Sequence, residues 1–256
     1  MSITLQYLSV RYGARVAVAD VSFTAQPGRV TAVCGPNGSG KSSLVRAVAG
    51  LAPSTGSIRL AEPAGGGGRP RVGYMPQDIT APPALSVIEV ALLGRLSSLA
   101  LRIDPADLEA AAGVLDRLGI APLANRDVRE LSGGQRQLVF LAQALCGSPG
   151  VILLDEPTSA LDLRHQLQVL GLLRELARER GLTCLVVLHD LNAAARYADD
   201  VALMAGGHLV GFGPPAGLFT CDSIARSFGV EAAVGVATDG CVTITALRPL
   251  DGPMPV

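Results

Sequence analysis

Residues 35 to 42 read Gly-Pro-Asn-Gly-Ser-Gly-Lys-Ser, and a short, mostly apolar run from Arg29 to Cys34 stands directly before them. The pattern fits G-x-x-x-x-G-K-[ST]. Gly35, Gly38 and Gly40 let backbone N–H groups converge on phosphate oxygens with no side chain in the way. Ser42 to Ala49 reads as a helix, whose positive end would point at the same anion. Lys41 would reach the outer phosphates, and the Ser42 hydroxyl would ligate Mg²⁺. Such a loop works only when a strand delivers it and a helix leaves it, so the chain is constrained to an α/β architecture.

Lys41 is the sole lysine among 21 lysines and arginines. An ammonium is a compact point charge and a guanidinium a wide planar fork, so this position asks for something arginine cannot supply. The 256 residues are 49% hydrophobic, enough for a substantial core. The net charge of -1 offers no basic field for a nucleic-acid partner. The apolar runs fall well short of the roughly 18 residues of a membrane span. The N-terminus lacks a charged-then-apolar signal pattern. The chain is therefore expected neither to span a membrane nor to be exported, and a role at a membrane would come through a partner. Cys34, Cys146, Cys184, Cys221 and Cys241 form no close pair and read as reduced thiols. His165, His189 and His208 form no metal-ligand cluster.

Strand-like patterns occur at residues 3–10, 16–26, 29–34, 56–60 and 72–75. Gly65 to Gly68 reads as a flexible surface loop. From Leu85 to Leu145 the spacing is helical with no convincing strand, broken by Pro82-Pro83, Asp104-Pro105 and Pro122. Strand and helix then alternate: Val151 to Leu154, Leu163 to Arg180, Thr183 to Leu188, Leu191 to Tyr197. In the long helix Leu163, Leu167, Leu170 and Leu173 fall on one face. Gly206-Gly207 and Asp239-Gly240 mark hairpin turns. The expected organisation is an α/β core (1–84 and 150–228), a helical insertion (85–149) and a small β extension (229–256).

Two further motifs carry chemistry. Val151 to Leu154 is an apolar run ending in Asp155-Glu156. Asp155 can hold Mg²⁺ or its water, and Glu156 can face an attacking water as general base. Leu131-Ser132-Gly133-Gly134-Gln135 opens a helical stretch, and Ser132 with Gln135 matches a capping box. The bare glycine amides at that helix start also make a second anion site. A single phosphate-binding loop does not need it, so it would serve another nucleotide.

Together these residues resemble the ATP-binding cassette ATPases, whose signature is LSGGQ. The resemblance spans nearly the whole chain and implies a P-loop NTPase fold: a mixed β-sheet core with a helical subdomain insertion and an antiparallel β subdomain. It implies ATP and Mg²⁺ as cofactors. ATP binding would fall to Tyr12, Gly35, Pro36, Asn37, Gly38, Ser39, Gly40, Lys41, Ser42 and Ser43, with Tyr12 stacked on adenine. Gln77 resembles the glutamine that touches Mg²⁺ and the attacking water, Asp162 the D-loop aspartate, and His189 the switch histidine on the γ-phosphate. Glu156, His189 and Gln77 would be catalytic, and Ser42, Gln77 and Asp155 would hold Mg²⁺.

The resemblance also implies a head-to-tail homodimer, in which Ser132, Gly133, Gly134 and Gln135 act in trans on the partner's nucleotide. A finer similarity leads to import ATPases for iron-siderophore, haem and cobalamin uptake. It rests on Leu93-Gly94-Arg95, Leu161 to Gln166, His189 to Ala198, Gly213-Pro-Pro and Phe228 to Glu231. Leu138 and Gln143 depart from it where many relatives carry arginine, at positions read as lying outside the phosphate machinery. The implied partners are integral-membrane permease subunits, contacted near Pro82 to Arg95, and indirectly a periplasmic or surface substrate-binding protein. The implied location is the cytoplasmic face of the cell membrane. An exporter subunit and a non-transport cassette with a soluble or nucleic-acid partner are the alternatives.

Overall fold

The computed structural model describes residues 1–61, 71–79, 84–95 and 104–250. Gly65 to Gly68, Pro82-Pro83 and the chain end from 251 lie outside the described residues. In order, the elements are β1 (Ser2–Tyr12), β2 (Arg15–Ala25), β3 (Val30–Cys34), α1 (Lys41–Val48), β4 (Ser54–Ala61), β5 (Val72–Met75), α2 (Val87–Leu93), α3 (Pro105–Arg117), α4 (Gly133–Cys146) and β6 (Val151–Asp155). Then follow α5 (Leu163–Arg180), β7 (Thr183–Val187), α6 (Leu191–Tyr197), β8 (Asp200–Ala205), β9 (His208–Gly213), α7 (Pro215–Leu218), α8 (Cys221–Phe228), β10 (Val230–Val236) and β11 (Val242–Pro249).

The central sheet has the order β5-β6-β7-β3-β8-β9. Its first five strands are parallel, and β9 closes the edge antiparallel to β8. Every residue of β3, β6 and β7 is buried, which is why these strands read as unbroken apolar runs instead of alternating ones. The period of two still divides them between layers. Val151 and Leu153 join the core beneath α1 and the small antiparallel sheet β2-β1-β4. Ile152 and Leu154 join the core shared with α4, α5, α8 and the C-terminal hairpin.

Between α2 and α4 the described residues contain helices and short 3₁₀ turns but no strand. Gly94 lies so close to this bundle that a Cβ there would stand 1.8 Å from the Gln143 carbonyl. α3 begins with Asp104 as cap and Pro105 at the first helical position, where its missing N–H costs no hydrogen bond. α5 corrects one sequence expectation. Leu170 and Leu173 are buried, but Leu163 is 69% exposed and Leu167 43% exposed. The buried residues are Val169, Leu170, Leu172, Leu173, Leu176 and Ala177, none of them in the first turn of the helix.

The β10–β11 hairpin docks on α6. The Asn192 side chain donates to the Ile244 carbonyl (3.0 Å) and accepts from the Ile244 N–H (2.8 Å), and Arg196 pairs with Asp239 at 2.9 Å. All five cysteines are free thiols, and burial pushes Cys34 and Cys184 up to about 12. No helix among the described residues is long and apolar enough to cross a membrane.

Candidate functional site

Because β3, β5, β6 and β7 run parallel, their carboxyl ends share one edge of the sheet. The loops leaving that edge carry residues 35–42, Gln77, Glu156 and His189, where open α/β sheets generally bind ligands. They close on a cavity of about 600 Å³ lined by Tyr12, Arg15, Ala17, Asn37, Gly38, Gly40, Lys41, Ser42, Ser43, Gln77, Glu156 and His189. The volume suits a mononucleotide-sized ligand. Gly35, Pro36, Ser39 and Asp155 do not line it; Lys41 bonds to the Gly35 and Pro36 carbonyls and Ser42 to Asp155.

The loop is tightly cornered. Gly40 has φ +96°, and a Cβ on it would sit 2.2 Å from the Ala17 carbonyl. Gly35 has φ +151°, and its Cβ would sit 2.1 Å from the Met204 carbonyl. Only glycine fits either position without moving backbone. Gly40 is also the N-cap of α1 and supplies no capping side chain, so the first-turn N–H groups that line the cavity are left for another acceptor. The buried Ser39 hydroxyl has no partner at all.

Lys41 is 5% exposed and donates through Nζ to the carbonyls of Gly35 (2.9 Å) and Pro36 (2.8 Å). Burial pulls its ammonium below the usual lysine value, while the charges of Glu156, Cys34 and Asp155 work the other way. Asp155, at the end of β6, is 2% exposed and accepts from the Ser42 hydroxyl at 3.0 Å. Burial pushes its carboxyl above the ordinary 3.8, against the Ser42 hydrogen bond that holds it down. A hydroxyl and a carboxylate converging beside a phosphate loop are hard oxygen donors that fit Mg²⁺. The described residues contain no cluster of three His, Cys, Asp or Glu side chains able to hold a metal. Mg²⁺ tolerates this scarcity because it keeps waters and ligand phosphates in its shell.

Glu156 follows Asp155 with φ +55°, a region a non-glycine residue occupies at a cost of about 1–3 kcal/mol. The turn aims its carboxylate across the cavity, where Oε1 lies 2.6 Å from His189 Nε2.

Ser132, Gly133, Gly134 and Gln135 are elsewhere. Ser132 caps α4, accepting from the Gln135 N–H at 3.2 Å, while Gln135 Oε1 accepts from the Ser132 N–H at 3.1 Å. They line a second cavity of about 620 Å³ together with Leu138, Leu161, Asp162 and His165. The two cavities share no residue. Asp162 caps α5, accepting from the His165 N–H at 2.9 Å and lying 2.7 Å from His165 Nδ1; the His165 N–H first of all, then its ring, holds the Asp162 carboxyl low.

The sequence reading missed several residues. Arg15 and Ala17 enter the first cavity from the start of β2. An arginine near the motif is a signal, but twenty such arginines blur it. His165, which the motifs left without a role, lines the second cavity. Leu138, read as outside the phosphate machinery, forms an apolar wall of that same cavity.

The ABC transporter family matches residues 18–159, more than half of the chain. The chain belongs to the ABC transporter ATPase family. It is 35% identical to the hemin import ATP-binding protein HmuV of Rhizobium johnstonii, over 96% of this chain and 98% of that one. It is also 35% identical to the cobalamin import ATP-binding protein BtuD of Halobacterium salinarum, over 96% of this chain. The chain spans only 64% of that relative's length. Among solved structures, an inward-facing metal-chelate type ABC transporter superposes with a TM-score of 0.83 at 29% identity, covering 96% of this chain and 98% of that one.

Proposed function

We propose that this chain is the ATP-hydrolysing subunit of an importer that takes up an iron-siderophore, haem or cobalamin-type metal chelate through a separate permease. The observation that carries the reading is the separation of the two cavities on one chain, each holding half of what a nucleotide phosphate needs. Two copies arranged head to tail would set the Ser132–Gln135 amides of each against the nucleotide on the other's Lys41 loop. Haem and cobalamin as cargo follow the names of the relatives above, and iron-siderophore rests on the motif resemblance. The permease would dock near residues 82–95, and the chain would sit peripherally at the cytoplasmic face of the membrane. A cavity of about 350 Å³ between Gly94-Arg95, β5 and α4 supports that contact. A substrate-binding protein would act on the permease, not on this chain.

Within each site Tyr12 would stack on adenine, the residues 35–43 amides and Lys41 would hold the phosphates, and Glu156 would take the proton of the attacking water. His189, within reach of Glu156 Oε1, would orient that carboxylate and contact the terminal phosphate. Ser42, Asp155 and Gln77 would hold Mg²⁺, which would offset phosphate charge. Asp162 would face the partner across the dimer.

Glu156→Gln tests the core of this reading. It should bind ATP, elute as a dimer with ATP present, and hydrolyse it at least about a hundredfold more slowly. Hydrolysis near the wild-type rate removes Glu156 from the role of base. A variant that binds ATP yet stays monomeric at saturation removes the shared site. A pull-down of tagged chain from native membranes in mild detergent tests the transport reading: a stoichiometric polytopic permease is expected, and soluble partners alone overturn it.

A further inference from the structure

Gln137 belongs to no motif singled out from the sequence, yet it is 4% exposed and spends its whole amide on the segment that carries Glu156. Its Nε2 donates to the Glu156 carbonyl at 2.7 Å and to Ser159 Oγ at 3.2 Å. Its Oε1 accepts from the Ala160 N–H at 3.0 Å. The Glu156 carbonyl otherwise accepts only weaker contacts from Ser159, through its Oγ at 3.2 Å and its N–H at 3.4 Å. Glu156 is the residue whose backbone sits at φ +55°. Such a conformation persists only where the surroundings hold it. The shortest of those holds comes from Gln137 in the second turn of α4, just after the turn that begins with Ser132-Gly133-Gly134.

The turn before Gln137 is wedged against residue 160. A Cβ on Gly134 would stand 2.8 Å from the Ala160 carbonyl. The start of α4 therefore cannot shift or tilt without moving the 156–160 segment. From these contacts we infer that Gln137 is a positioning residue that couples occupancy of the Ser132–Gln135 face to the aim of Glu156 within the same chain. This rests on the head-to-tail reading above. In such a dimer, a nucleotide on one chain's loop would press on the partner's α4. Gln137 would carry that displacement to the partner's own base, so that each site senses the other.

A second glutamine provides the control. Gln166 on α5 donates to the carbonyls of Thr158 (3.1 Å) and Leu161 (3.1 Å), bracing the same loop without touching Glu156.

The experiment measures steady-state ATPase, ATP affinity and melting temperature for full-length Gln137→Leu, Gln137→Glu and Gln166→Leu. Gln137→Leu should lower kcat by about tenfold or more through misplacement of the base. ATP affinity at the Lys41 loop should stay within about twofold, because that cavity contains no atom of Gln137. Cooperativity in ATP should weaken. Gln166→Leu should lower kcat clearly less. Gln137→Glu keeps an acceptor for Ala160 but loses the donor to Glu156 while ionised, so its kcat relative to wild type should recover as pH falls and the carboxyl regains a proton. Gln137→Leu should show no such recovery. The inference is overturned if Gln137→Leu retains kcat, if Gln166→Leu loses as much, or if the Gln137→Glu pH profile follows that of Gln137→Leu. Wild-type hydrolysis by Glu156→Gln would instead overturn the base assignment, so the two failures are distinguishable.

Discussion

The two adjacent glycines at the start of α4 should respond oppositely to the same substitution. A Cβ on Gly133 would find nothing nearer than the Ala160 methyl at 3.9 Å, an ordinary contact. A Cβ on Gly134 would stand 2.8 Å from the Ala160 carbonyl and 3.3 Å from Leu161 Cδ2. Alanine in place of glycine in a helix gains at most about 0.5–1 kcal/mol. Forcing a methyl against packed backbone costs about 1–3 kcal/mol. Gly134→Ala should therefore lose up to about 2.5 kcal/mol net, and each kcal/mol moves the melting temperature by about 2–4 °C for a chain of this size. Gly133→Ala should melt at or slightly above wild type. Its ATPase should nonetheless collapse, because the new methyl enters space that this chain's own packing leaves open and that the partner's terminal phosphate would use. The chain has no tryptophan, so melting is best followed by far-UV circular dichroism. Equal destabilisation by both substitutions would refute the packing argument. A stable, fully active Gly133→Ala would refute the claim that the open space receives a ligand.

Lys41→Ala removes a charge-assisted donor from the phosphate loop, a contact of about 1.5–3 kcal/mol, so ATP affinity by calorimetry should fall at least about tenfold. Asp155 carries a pH prediction. Burial raises its folded-state pKa above the ordinary 3.8, so the folded chain binds that proton more tightly than the unfolded one, and the ionised group costs stability once pH exceeds the folded value. Asp155→Asn should melt higher than wild type at neutral pH while losing Mg²⁺-dependent hydrolysis. In the wild type, Mg²⁺-dependent nucleotide binding should weaken on acidification at a pH above that of an unperturbed aspartate. Asn192→Leu strips both partners from Ile244 and should cost about 1–3 kcal/mol, seen as faster hydrogen exchange at the Ile244 amide.

What could be read from the sequence had its cause within a few residues. The step from a buried strand into Gly35-to-Ser42 is local chemistry, since the glycines, the lysine and the helix start would act on one anion. The acidic end of β6 was legible for the same reason. Parallel pairing then did what no local pattern states, bringing Ser42 to Asp155 across 113 positions of sequence. Where the cause is a distant contact, the reading failed or stopped short. Leu163 and Leu167 share helical spacing with Leu170 and Leu173, but the buried residues of the helix begin only at Val169. Gly134 reads as an anion-site glycine, yet its own chain already requires it against Ala160, whereas nothing within 3.9 Å requires Gly133. That difference separates a residue kept small by the fold from one kept small for something outside it. Gln137 looks like ordinary helix filler until Glu156, 19 positions on, is seen to lean on it. The local signals thus identify the groups that would touch phosphate, and the long-range contacts identify those that set their aim. Two cavities that share no residue would need the second set most, because contacts such as that of Gln137 would let one respond to what the other has bound.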